Sequence, residues 1–446
     1  MEIKIAGAGA GKTTKLAQKI IDRQLKNNGK IIYCVSFTNS SVNTIIDKLK
    51  NYYGEIPKNI KVSTIHSFLN SELINPYYFI LYGKQFHHIS NASLSDKPKF
   101  KNSELKRLEE KGFLHVDTFT AKAKYVMCGK SGDRKKHKET RGNIQDLFSK
   151  YFDALYVDEA QDIDKNFKEI LMKFDELGLY VEVIGDPKQD LKGLGCLPEL
   201  IREYSQEVTY IKESFRCPQC HLNFSNIFIG ENEQQFSPQK RQGTLNYYFE
   251  SEIDDLHKFI EKKNYDLKYI HQKNERFDTH APRRMDNYLF NELKIVISSK
   301  EEKPISDILV IKSASTLAYE LTKQVIVHKF KPEDAIKRTL PYGFVKPAEY
   351  YKILKALEIE TNNVQNDKYI VRSIESVKGL GEKNCLFIVT PSIFPYILGQ
   401  KIGGKIAANL YVGLTRSKEN LDLLITIESE MKFSKENIAS FFKNVI

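Results

Sequence analysis

The stretch that decides the fold is Met1-Glu2-Ile3-Lys4-Ile5-Ala6-Gly7-Ala8-Gly9-Ala10-Gly11-Lys12-Thr13-Thr14. It runs from a short apolar strand into a turn with glycine at every second position, and it ends in Gly-Lys-Thr, the pattern of a phosphate-binding loop. Gly7, Gly9 and Gly11 can adopt backbone angles that residues with a Cβ avoid, so we expect successive N–H groups to cradle an anion. The alternative is a glycine-rich turn before a surface helix, and the strand before the turn favours the phosphate-binding loop.

The loop residues have expected roles toward a nucleotide. Lys12 supplies a point charge for the β and γ phosphates, and Thr13 supplies a hydroxyl for Mg²⁺ at the positive end of the following helix. Ala6 stands at the first position of the usual G-x-x-x-x-G-K-[ST] pattern. The predicted nucleotide-binding residues of the loop are Gly7, Ala8, Gly9, Ala10, Gly11, Lys12, Thr13 and Thr14.

Composition sets wider bounds. The 446 residues suffice for about two or three domains, and 41% hydrophobic with 28% charged residues is typical of a soluble protein. Because no apolar run approaches the roughly 20 residues of a membrane span and no signal-peptide pattern precedes the loop, we expect a cytoplasmic protein without a membrane partner. The formal net charge of +11 favours a polyanionic partner.

The cysteines are few and scattered. The six are Cys34, Cys128, Cys196, Cys217, Cys220 and Cys385. This number favours a reducing compartment over a disulfide framework. Cys217-Pro218-Gln219-Cys220-His221 has the spacing of zinc ligands, but no second pair follows, so zinc is the weaker interpretation.

Polar residues follow two later apolar strands. The predicted strand at 154–157 ends in Asp158-Glu159, and the strand at 180–184 leads to Gln189. Ligands bind at the carboxyl edge of parallel sheets, so Asp158 is expected to hold Mg²⁺ through water and Glu159 to deprotonate an attacking water. Gln189 is a candidate sensor of the γ-phosphate. The alternative for the two carboxylates is an ordinary helix start.

Residues 70–148 interrupt the alternation of strands and helices. This segment is expected to be a helical, basic insertion, with a mobile loop at 131–138. Its charged residues include Lys97, Lys99, Lys101, Lys106, Arg107, Lys130, Arg134, Lys135, Lys136, Lys138 and Arg141. A solvated charge run and a patch that contacts nucleic-acid phosphates remain open as alternatives.

The order of these motifs resembles that of the superfamily-1 DNA helicases of the UvrD/Rep type. Further motifs carry the resemblance: Phe37-Thr38-Asn39, Thr64-Ile65-His66, Glu213-Ser214-Phe215-Arg216, Ser373-Ile374-Glu375-Ser376-Val377-Lys378-Gly379-Leu380 and Tyr411-Val412-Gly413-Leu414-Thr415-Arg416-Ser417-Lys418. Taken alone, Asn39 and His66 would more often be helix-capping or core residues.

The resemblance implies a set of site residues. The catalytic residues are Lys12, Glu159, Gln189, Arg216 and Arg416, and the metal is held by Thr13 and Asp158. Phe215 stacks on adenine, and Glu382 stands near the position of a ribose-contacting glutamate. The DNA-binding residues are Phe37, Thr38, Asn39, Thr64, His66, Ser373 and Glu375. ATP and Mg²⁺ are the implied cofactors.

The implied fold is α/β, with two RecA-like P-loop NTPase domains built on parallel sheets flanked by helices, and a basic helical insertion in the first. We expect the first domain at 1–69 and 149–205, the insertion at 70–148, and the second domain at 206–446. The second domain is predicted to include strands at 245–249 and 308–311, with the large regulatory insertion of full helicases reduced or absent.

The implied function is an ATP-dependent DNA translocase or helicase that acts on single-stranded or partly single-stranded DNA. Its trimmed size also resembles the helicase-like subunits of bacterial anti-phage systems of the Gabija GajB kind, which work beside a nuclease. Several residues depart from the family pattern: Lys192 and Leu194 replace base-stacking aromatics, Glu375 replaces a histidine, and the upstream glutamine motif is absent. These departures keep an alternative open, a DNA-end or nucleotide-sensing ATPase that regulates a partner nuclease.

Overall fold

The computed structural model describes residues 1–26, 29–91, 94–95, 97–279, 288–302, 307–341, 343–362 and 369–445. The β-strands in these ranges are β1 Glu2–Ala6, β2 Ile31–Ser36, β3 Ile60–Thr64, β4 His88–Ser90, β5 Phe113–His115, β6 Phe152–Val157, β7 Tyr180–Gly185, β8 Val208–Ile211, β9 Thr244–Phe249, β10 Leu267–Ile270, β11 Phe277–Asp278, β12 Tyr369–Ile370, β13 Arg372–Ser373, β14 Glu382–Val389 and β15 Ser417–Ile425.

The α-helices in these ranges are α1 Lys12–Gln24, α2 Asn39–Tyr53, α3 Ile65–Phe68, α4 Asn75–Tyr82, α5 Pro98–Glu110, α6 Phe119–Met127, α7 Lys135–Tyr151, α8 Lys165–Glu176, α9 Cys196–Glu203, α10 Gln219–Asn226, α11 Leu256–Lys263, α12 Tyr288–Glu301, α13 Ile308–Ile326, α14 Pro332–Thr339, α15 Pro347–Asn362, α16 Ile374–Val377, α17 Phe394–Ile397, α18 Gly404–Leu414, α19 Ile427–Phe433 and α20 Lys435–Val445. The chain forms two compact units, Met1–Leu267 with Val377–Ile446, and Lys268–Ser376.

A six-stranded parallel sheet organises the first part of the larger unit. Its order is β3-β2-β6-β7-β1-β8, so the carboxyl ends of β6, β7 and β1 lie side by side. The strands are nearly continuous apolar runs because helices cover both faces of the sheet. The sequence predicts that the second domain begins at residue 206. Strand β8 lies beyond that residue and still pairs with β1, so we call residues 1–211 the first lobe.

Most of the 70–148 segment packs into the same core as this sheet. Phe148 on α7 stacks on Phe152 of β6, with 4.5 Å between the ring centroids, and on Phe174 at 5.0 Å. Helix α5, in contrast, buries no side chain. The predicted mobile loop at 131–138 is wrong in its second half, since α7 begins at Lys135 and its apolar face anchors it to the core.

The second lobe comprises residues 212–267 and 377–446 of the same unit. Its strands β14, β15 and β9 are parallel, and β15 lies between the other two. Strand β9 at Thr244–Phe249 confirms the strand predicted at 245–249. Helices α10 and α18 pack together in this lobe.

The smaller unit is mainly helical. Its helices α12 to α15 share a core that includes Leu293, Val310, Leu321 and Ile336, and short parallel pairs form between β10 and β13 and between β11 and β12. The predicted strand at 308–311 is wrong, because these residues begin α13. A four-residue apolar run does not reveal its period, and the Asp307 carboxylate caps the helix by accepting the Leu309 N–H at 2.7 Å.

The fold class is α/β, with parallel sheets flanked by helices, as predicted, and is consistent with two RecA-like P-loop domains. Among the described residues, none of the helices combines the length and the apolar character that crossing a bilayer would require.

Candidate nucleotide-binding and hydrolysis site

The turn between β1 and α1 has the backbone of a phosphate-binding loop. Gly9 and Gly11 have φ angles of 74° and 71°, in the left-handed region that favours glycine. Gly7 lacks a positive φ, so the special backbone angle predicted for it is wrong. Glycine is required at this position for a different reason. A Cβ there would lie 2.3 Å from Cδ of Gln235, so Gln235 leaves no space for a side chain.

A cleft of about 760 Å³ opens over this loop, within the size range of nucleotide pockets. Residues from both lobes line it: Ala8, Gly9, Ala10, Gly11, Lys12, Thr13, Thr14, Thr38, Ser40, Ser41, Thr44, Lys48, Glu159, Gln189, Phe215, Arg216, Arg241, Lys378, Gly379, Leu380, Arg416 and Lys418. Among these residues the positively charged side chains far outnumber the one carboxylate, Glu159. The cleft is therefore suited to a polyanion such as a triphosphate.

The acidic pair follows β6 at the edge of the sheet. Glu159 adopts a left-handed backbone, with φ 56°, and its Oε2 lies 3.8 Å from Nζ of Lys12. Burial disfavours its charge, but Lys12 and Lys378 outweigh that effect, so the pKa of Glu159 lies below its ordinary value. Glu159 is therefore an ionised carboxylate facing the loop.

Asp158 is buried, with 1% of its surface exposed, and its Oδ1 accepts the N–H of Glu159 at 3.0 Å. Burial, followed by the neighbouring charge of Glu159, raises the pKa of Asp158 to about 7. A buried carboxylate of this kind gains from a nearby cation. Thr13 stands in the first turn of α1 and lines the cleft.

Gln189 reaches the cleft from the turn after β7. Its Nε2 donates to Oδ2 of Asp186 at 2.8 Å, and its N–H donates to the Asp186 carbonyl at 2.8 Å. Lys188 pairs with Asp186 at 2.9 Å and with Glu233 of the second lobe. The side chain of Gln189 is thereby held in one orientation at the cleft wall.

The two candidate arginine fingers differ in their surroundings. Nη2 of Arg216 donates to the carbonyl of Gly379 at 3.3 Å. Arg416 is fully buried, and its guanidinium donates to the carbonyls of Val412 at 2.9 Å and Leu380 at 3.0 Å. Arg416 thus holds the backbone of residues 377–380 in place. The Gly379 carbonyl in this segment accepts the hydrogen bond from Arg216.

Phe215, the candidate adenine-stacking residue, is 39% exposed and lines the cleft. Its N–H donates to the carbonyl of Gly9 at 2.8 Å, which anchors it to the phosphate-binding loop. Glu382, the candidate ribose contact, is exposed at the start of β14 and is not one of the described residues that line the cleft.

The candidate DNA-binding residues of the first lobe also have local structural roles. Thr38 and Thr64 cap α2 and α3, and their hydroxyls accept the N–H groups of Ser41 and Ser67. Nζ of Lys192 lies 5.4 Å from the ring centroid of Phe37.

His66 packs edge-on against Phe119, with 5.4 Å between the ring centroids. Burial lowers the pKa of His66. Asn39 is exposed at the start of α2. Ser373 and Glu375 belong to the smaller unit, where the Ser373 hydroxyl accepts the Ser376 N–H at 3.3 Å.

Arg141 corrects the basic-patch hypothesis. It is only 6% exposed, and its guanidinium binds Asp133, the Tyr82 hydroxyl at 3.0 Å and the Val126 carbonyl at 3.1 Å. A basic residue in a charge run can thus serve the core, and Arg141 is not available to DNA. Arg134 and the lysines at 130, 135, 136 and 138 are exposed.

The cysteine motif gives no support for zinc. Sγ of Cys217 points to the Thr415 carbonyl at 3.6 Å, and that of Cys220 to the Gly243 carbonyl at 3.4 Å. The His221 ring contacts the Thr244 carbonyl at 2.8 Å. Within the described ranges, the residues form no cluster of three or more His, Cys, Asp or Glu suited to a metal.

Sequence reasoning missed several residues of the cleft region. Thr44 and Lys48 enter from α2 and Arg241 from the second lobe. Gln235 contacts the phosphate-binding loop across 227 residues of sequence, and no local pattern marks it. The helical spacing of Ser40, Thr44 and Lys48, at i, i+4 and i+8, is the one signal that could have revealed a polar helix face.

The family comparison agrees with the phosphate-binding loop in β1 and α1. Residues 2–193 match the family described as AAA domain. Among solved structures, 119 chains match, including Arterivirus nonstructural protein 10, a helicase in complex with DNA, at 10% identity and a TM-score of 0.36. That match covers 95% of this chain and 60% of the viral helicase chain, so the protein spans about three fifths of its length. No curated protein matches the sequence.

An AAA-type domain is therefore present in the first lobe, and its phosphate-binding loop and acidic pair define an NTPase-like class of protein.

Proposed function

We propose that the protein is an ATP-dependent DNA translocase or helicase of the UvrD-like superfamily-1 type, acting on single-stranded or partly single-stranded DNA. The observation that carries the proposal is the cleft in which Lys12 and Glu159 of the first lobe meet Arg216 of the second. Catalytic groups from two lobes around one phosphate-binding loop allow hydrolysis to be coupled to lobe movement. In this proposal the two lobes of the larger unit are the motor domains.

Each of the proposed site residues has its own role in ATP hydrolysis. Lys12 and the loop N–H groups bind the β and γ phosphates of the substrate ATP, and Glu159 accepts a proton from the attacking water. Gln189 orients that water or the γ-phosphate. Arg216 stabilises the negative charge that develops during transfer of the phosphoryl group, because its guanidinium is planar and always charged. Phe215 stacks on the base.

The chain has a suitable donor set for Mg²⁺. The hydroxyl of Thr13 and the buried carboxylate of Asp158 are hard oxygen ligands, which Mg²⁺ prefers. When bound, Mg²⁺ would neutralise phosphate charge. Thr13 and Asp158 would hold it in place.

The proposed DNA-binding residues of the first lobe are Phe37, Thr38, Asn39, Thr64 and His66, and those of the smaller unit, taken by itself, are Ser373 and Glu375. The net charge of +11 supports a polyanionic track. Because Thr38 both caps α2 and lines the nucleotide cleft, DNA contact there would be transmitted to the hydrolysis site.

The test is to measure ATP hydrolysis with and without single-stranded DNA, and strand separation on a partly single-stranded duplex, in one preparation. We expect DNA to stimulate hydrolysis and the duplex to be unwound. Absence of hydrolysis under both conditions would contradict the proposal, and the Lys12→Ala variant controls for contaminating ATPases.

A second candidate function is a DNA-end or nucleotide-sensing ATPase that regulates a partner nuclease. The observation that favours it is Lys192, which lies over the ring of Phe37, where the related helicases use aromatics to stack on bases. Since stacking contributes roughly 1 to 3 kcal/mol per base, its loss weakens the grip on single strands. DNA-stimulated hydrolysis without strand separation would select this candidate.

A further inference from the structure

Side chains of the second lobe hold both backbone polar groups of Ala8, in the middle of the phosphate-binding loop. The Ala8 N–H donates to Oη of Tyr411 at 2.9 Å, and the Tyr411 hydroxyl donates to Oε1 of Gln235 at 2.8 Å. Nε2 of Gln235 then donates to the Ala8 carbonyl at 3.2 Å. These three hydrogen bonds form a closed ring, which we call the Ala8 ring.

The ring lies away from solvent. Ala8 and Tyr411 are each 2% exposed and Gln235 is 3% exposed, so water cannot readily replace a lost partner. Burial, followed by the charge of Asp186, raises the pKa of Tyr411 well above its ordinary value. The hydroxyl therefore stays protonated and can accept from Ala8 while it donates to Gln235.

Neighbouring residues fix the ring in position. Asn226 holds the backbone of Gln235 through two hydrogen bonds, of 2.8 Å and 2.9 Å. Ser214 donates to the Ala8 carbonyl at 2.9 Å. Gly7 leaves the space that the Gln235 amide occupies, since a Cβ at Gly7 would lie 2.3 Å from Cδ of Gln235.

The members of the ring are far apart in sequence. Tyr411 and Gln235 are 403 and 227 residues from Ala8, so the ring exists only when the second lobe packs against the loop. Neither side chain is needed to make the loop itself, because Gly9 and Gly11 provide its turns. The ring thus adds a contact that depends on lobe closure.

We infer that Tyr411 and Gln235 are positioning residues, which hold the phosphate-binding loop through Ala8 in the geometry required for hydrolysis. The inference rests on the proposed ATP hydrolysis. Closure of the two lobes then brings Arg216 to the cleft and also fixes the conformation of the phosphate-binding loop. Neither residue needs to touch the nucleotide, because each acts through the backbone of Ala8.

The first test uses nucleotide-free protein and needs no activity. Tyr411→Phe removes the hydroxyl that accepts the Ala8 N–H and keeps the aromatic group of the side chain. We expect hydrogen–deuterium exchange of a peptide spanning residues 6–12 to become at least about fivefold faster, the lower end of the effect of losing a buried hydrogen bond. Exchange as slow as in the wild type would overturn the inference.

A matched control is Tyr265→Phe, in the same lobe. It removes another buried hydroxyl, which donates to Oδ2 of Asp422 at 2.6 Å, away from the loop. We expect it to leave exchange of residues 6–12 and steady-state hydrolysis unchanged. If Tyr265→Phe has the same effects as Tyr411→Phe, the effect is general loosening and the inference fails.

The second test separates kcat from KM. We expect Tyr411→Phe to lower kcat roughly 5- to 100-fold and to change KM for ATP less than about threefold, because Lys12 still binds the phosphates. Unchanged or increased kcat would overturn the inference, since Tyr411 would then be neutral or would restrain the loop.

A double-mutant cycle tests the role of Gln235. Gly7→Ala should speed hydrogen–deuterium exchange of residues 6–12 because the added Cβ displaces the Gln235 amide. In a Gln235→Ala background the space is free, so adding Gly7→Ala should change that exchange less than about twofold. Additive effects would contradict the inference. If the wild type does not hydrolyse ATP, the proposed function fails, while the exchange experiment still tests the ring.

Discussion

Glu159 has a left-handed backbone, which is unusual for a residue with a side chain and costs about 1 to 3 kcal/mol when the surroundings impose it. The turn immediately after β6 directs its carboxylate toward Lys12, at 3.8 Å. Strain of this kind at the edge of a sheet is a feature of functional sites. The geometry of Glu159 therefore supports its assignment as the general base.

Glu159→Gln should separate proton transfer from nucleotide binding. The amide keeps the shape of the side chain but cannot take a proton, so we expect ATP binding to persist while turnover falls roughly a hundredfold or more. Fluorescent-nucleotide binding and single-turnover kinetics measure the two effects. Loss of affinity with surviving catalysis would reverse the roles of Asp158 and Glu159. Glu261→Gln, exposed on α11, is the control.

Lys12→Ala should abolish hydrolysis, because it removes the ammonium that meets the β and γ phosphates. Circular dichroism is expected to show an intact fold, since α1 is held by Leu16 and Ile20 in the core. A hydrolysis rate within about threefold of the wild type, a barrier change below about 1 kcal/mol, would refute the assignment. Lys50→Ala, on the exposed side of α2, should behave as the wild type.

The two arginines should respond differently to substitution. Arg216→Ala is expected to cut hydrolysis roughly a thousandfold, the effect of losing an arginine finger, with little change in thermal stability. Arg416→Ala should cut hydrolysis and also lower the melting temperature, because it removes a fully buried side chain together with its hydrogen bonds to the carbonyls of Val412 and Leu380. Calorimetry beside the ATPase assay separates the two patterns, and equal melting temperatures would contradict them.

The sequence predicted residues whose role is local to a motif. Lys12 and Thr13 were recognisable because the loop, its strand and its helix are contiguous. Gly7 was misread, since its requirement comes from Gln235, which is distant in sequence. A contact formed only by tertiary packing leaves no pattern near either partner, so the Ala8 ring was beyond sequence reasoning.

At the scale of elements, α7 has a buried face and an exposed basic end, and the sequence did not show which of its basic residues belongs to which. Its buried face carries Arg141, Ile144 and Phe148, while Arg134 and the nearby lysines are exposed. The four-residue run at 308–311 shows the same difficulty, since a short apolar stretch fits a strand or a helix equally well. Strands β6 and β7 were predicted correctly because each apolar run leads directly into the polar residues of a motif.

The exposed end of α7 gives a test of DNA contact. Changing Arg134, Lys136 and Lys138 together to Gln should reduce the slope of log affinity against log salt by roughly 2 to 3 units, if these residues neutralise DNA phosphates. Fluorescence anisotropy over a salt series measures the slope. DNA-free hydrolysis should be unaffected.

The control for this test is a triple variant with the same charge change elsewhere, Lys258, Lys262 and Lys443 to Gln. These lysines are exposed on the second lobe. If both triple variants change the slope equally, the effect reflects net charge. An unchanged slope in the α7 variant would identify its basic end as a solvated surface.

At the scale of the whole molecule, ion pairs join the two lobes. Lys378 of the second lobe donates to Oδ2 of Asp162 at 2.7 Å, and Glu233 pairs with Lys188. Both pairs connect turns that carry site residues. They should therefore favour the closed arrangement, in which Arg216 and the phosphate-binding loop line the same cleft.

The variant Asp162→Asn with Glu233→Gln should weaken closure. We expect kcat to fall roughly tenfold or more and the average lobe separation, measured by fluorescence energy transfer, to increase. Glu252→Gln breaks a surface pair with Lys435, of 3.2 Å, within the second lobe and serves as the control. Unchanged lobe separation in the double variant would exclude a role of these pairs in closure.

The strand order of the second lobe also bears on its synthesis at the ribosome. Strand β15, at Ser417–Ile425, is the middle strand between β14 and β9, yet it is the last strand of the chain to be translated. Until it emerges, β9 and β14 lack the neighbour that joins them, while the first sheet is already complete. Nascent chains therefore expose unpaired strand edges late in translation, the condition in which chaperone binding competes with aggregation.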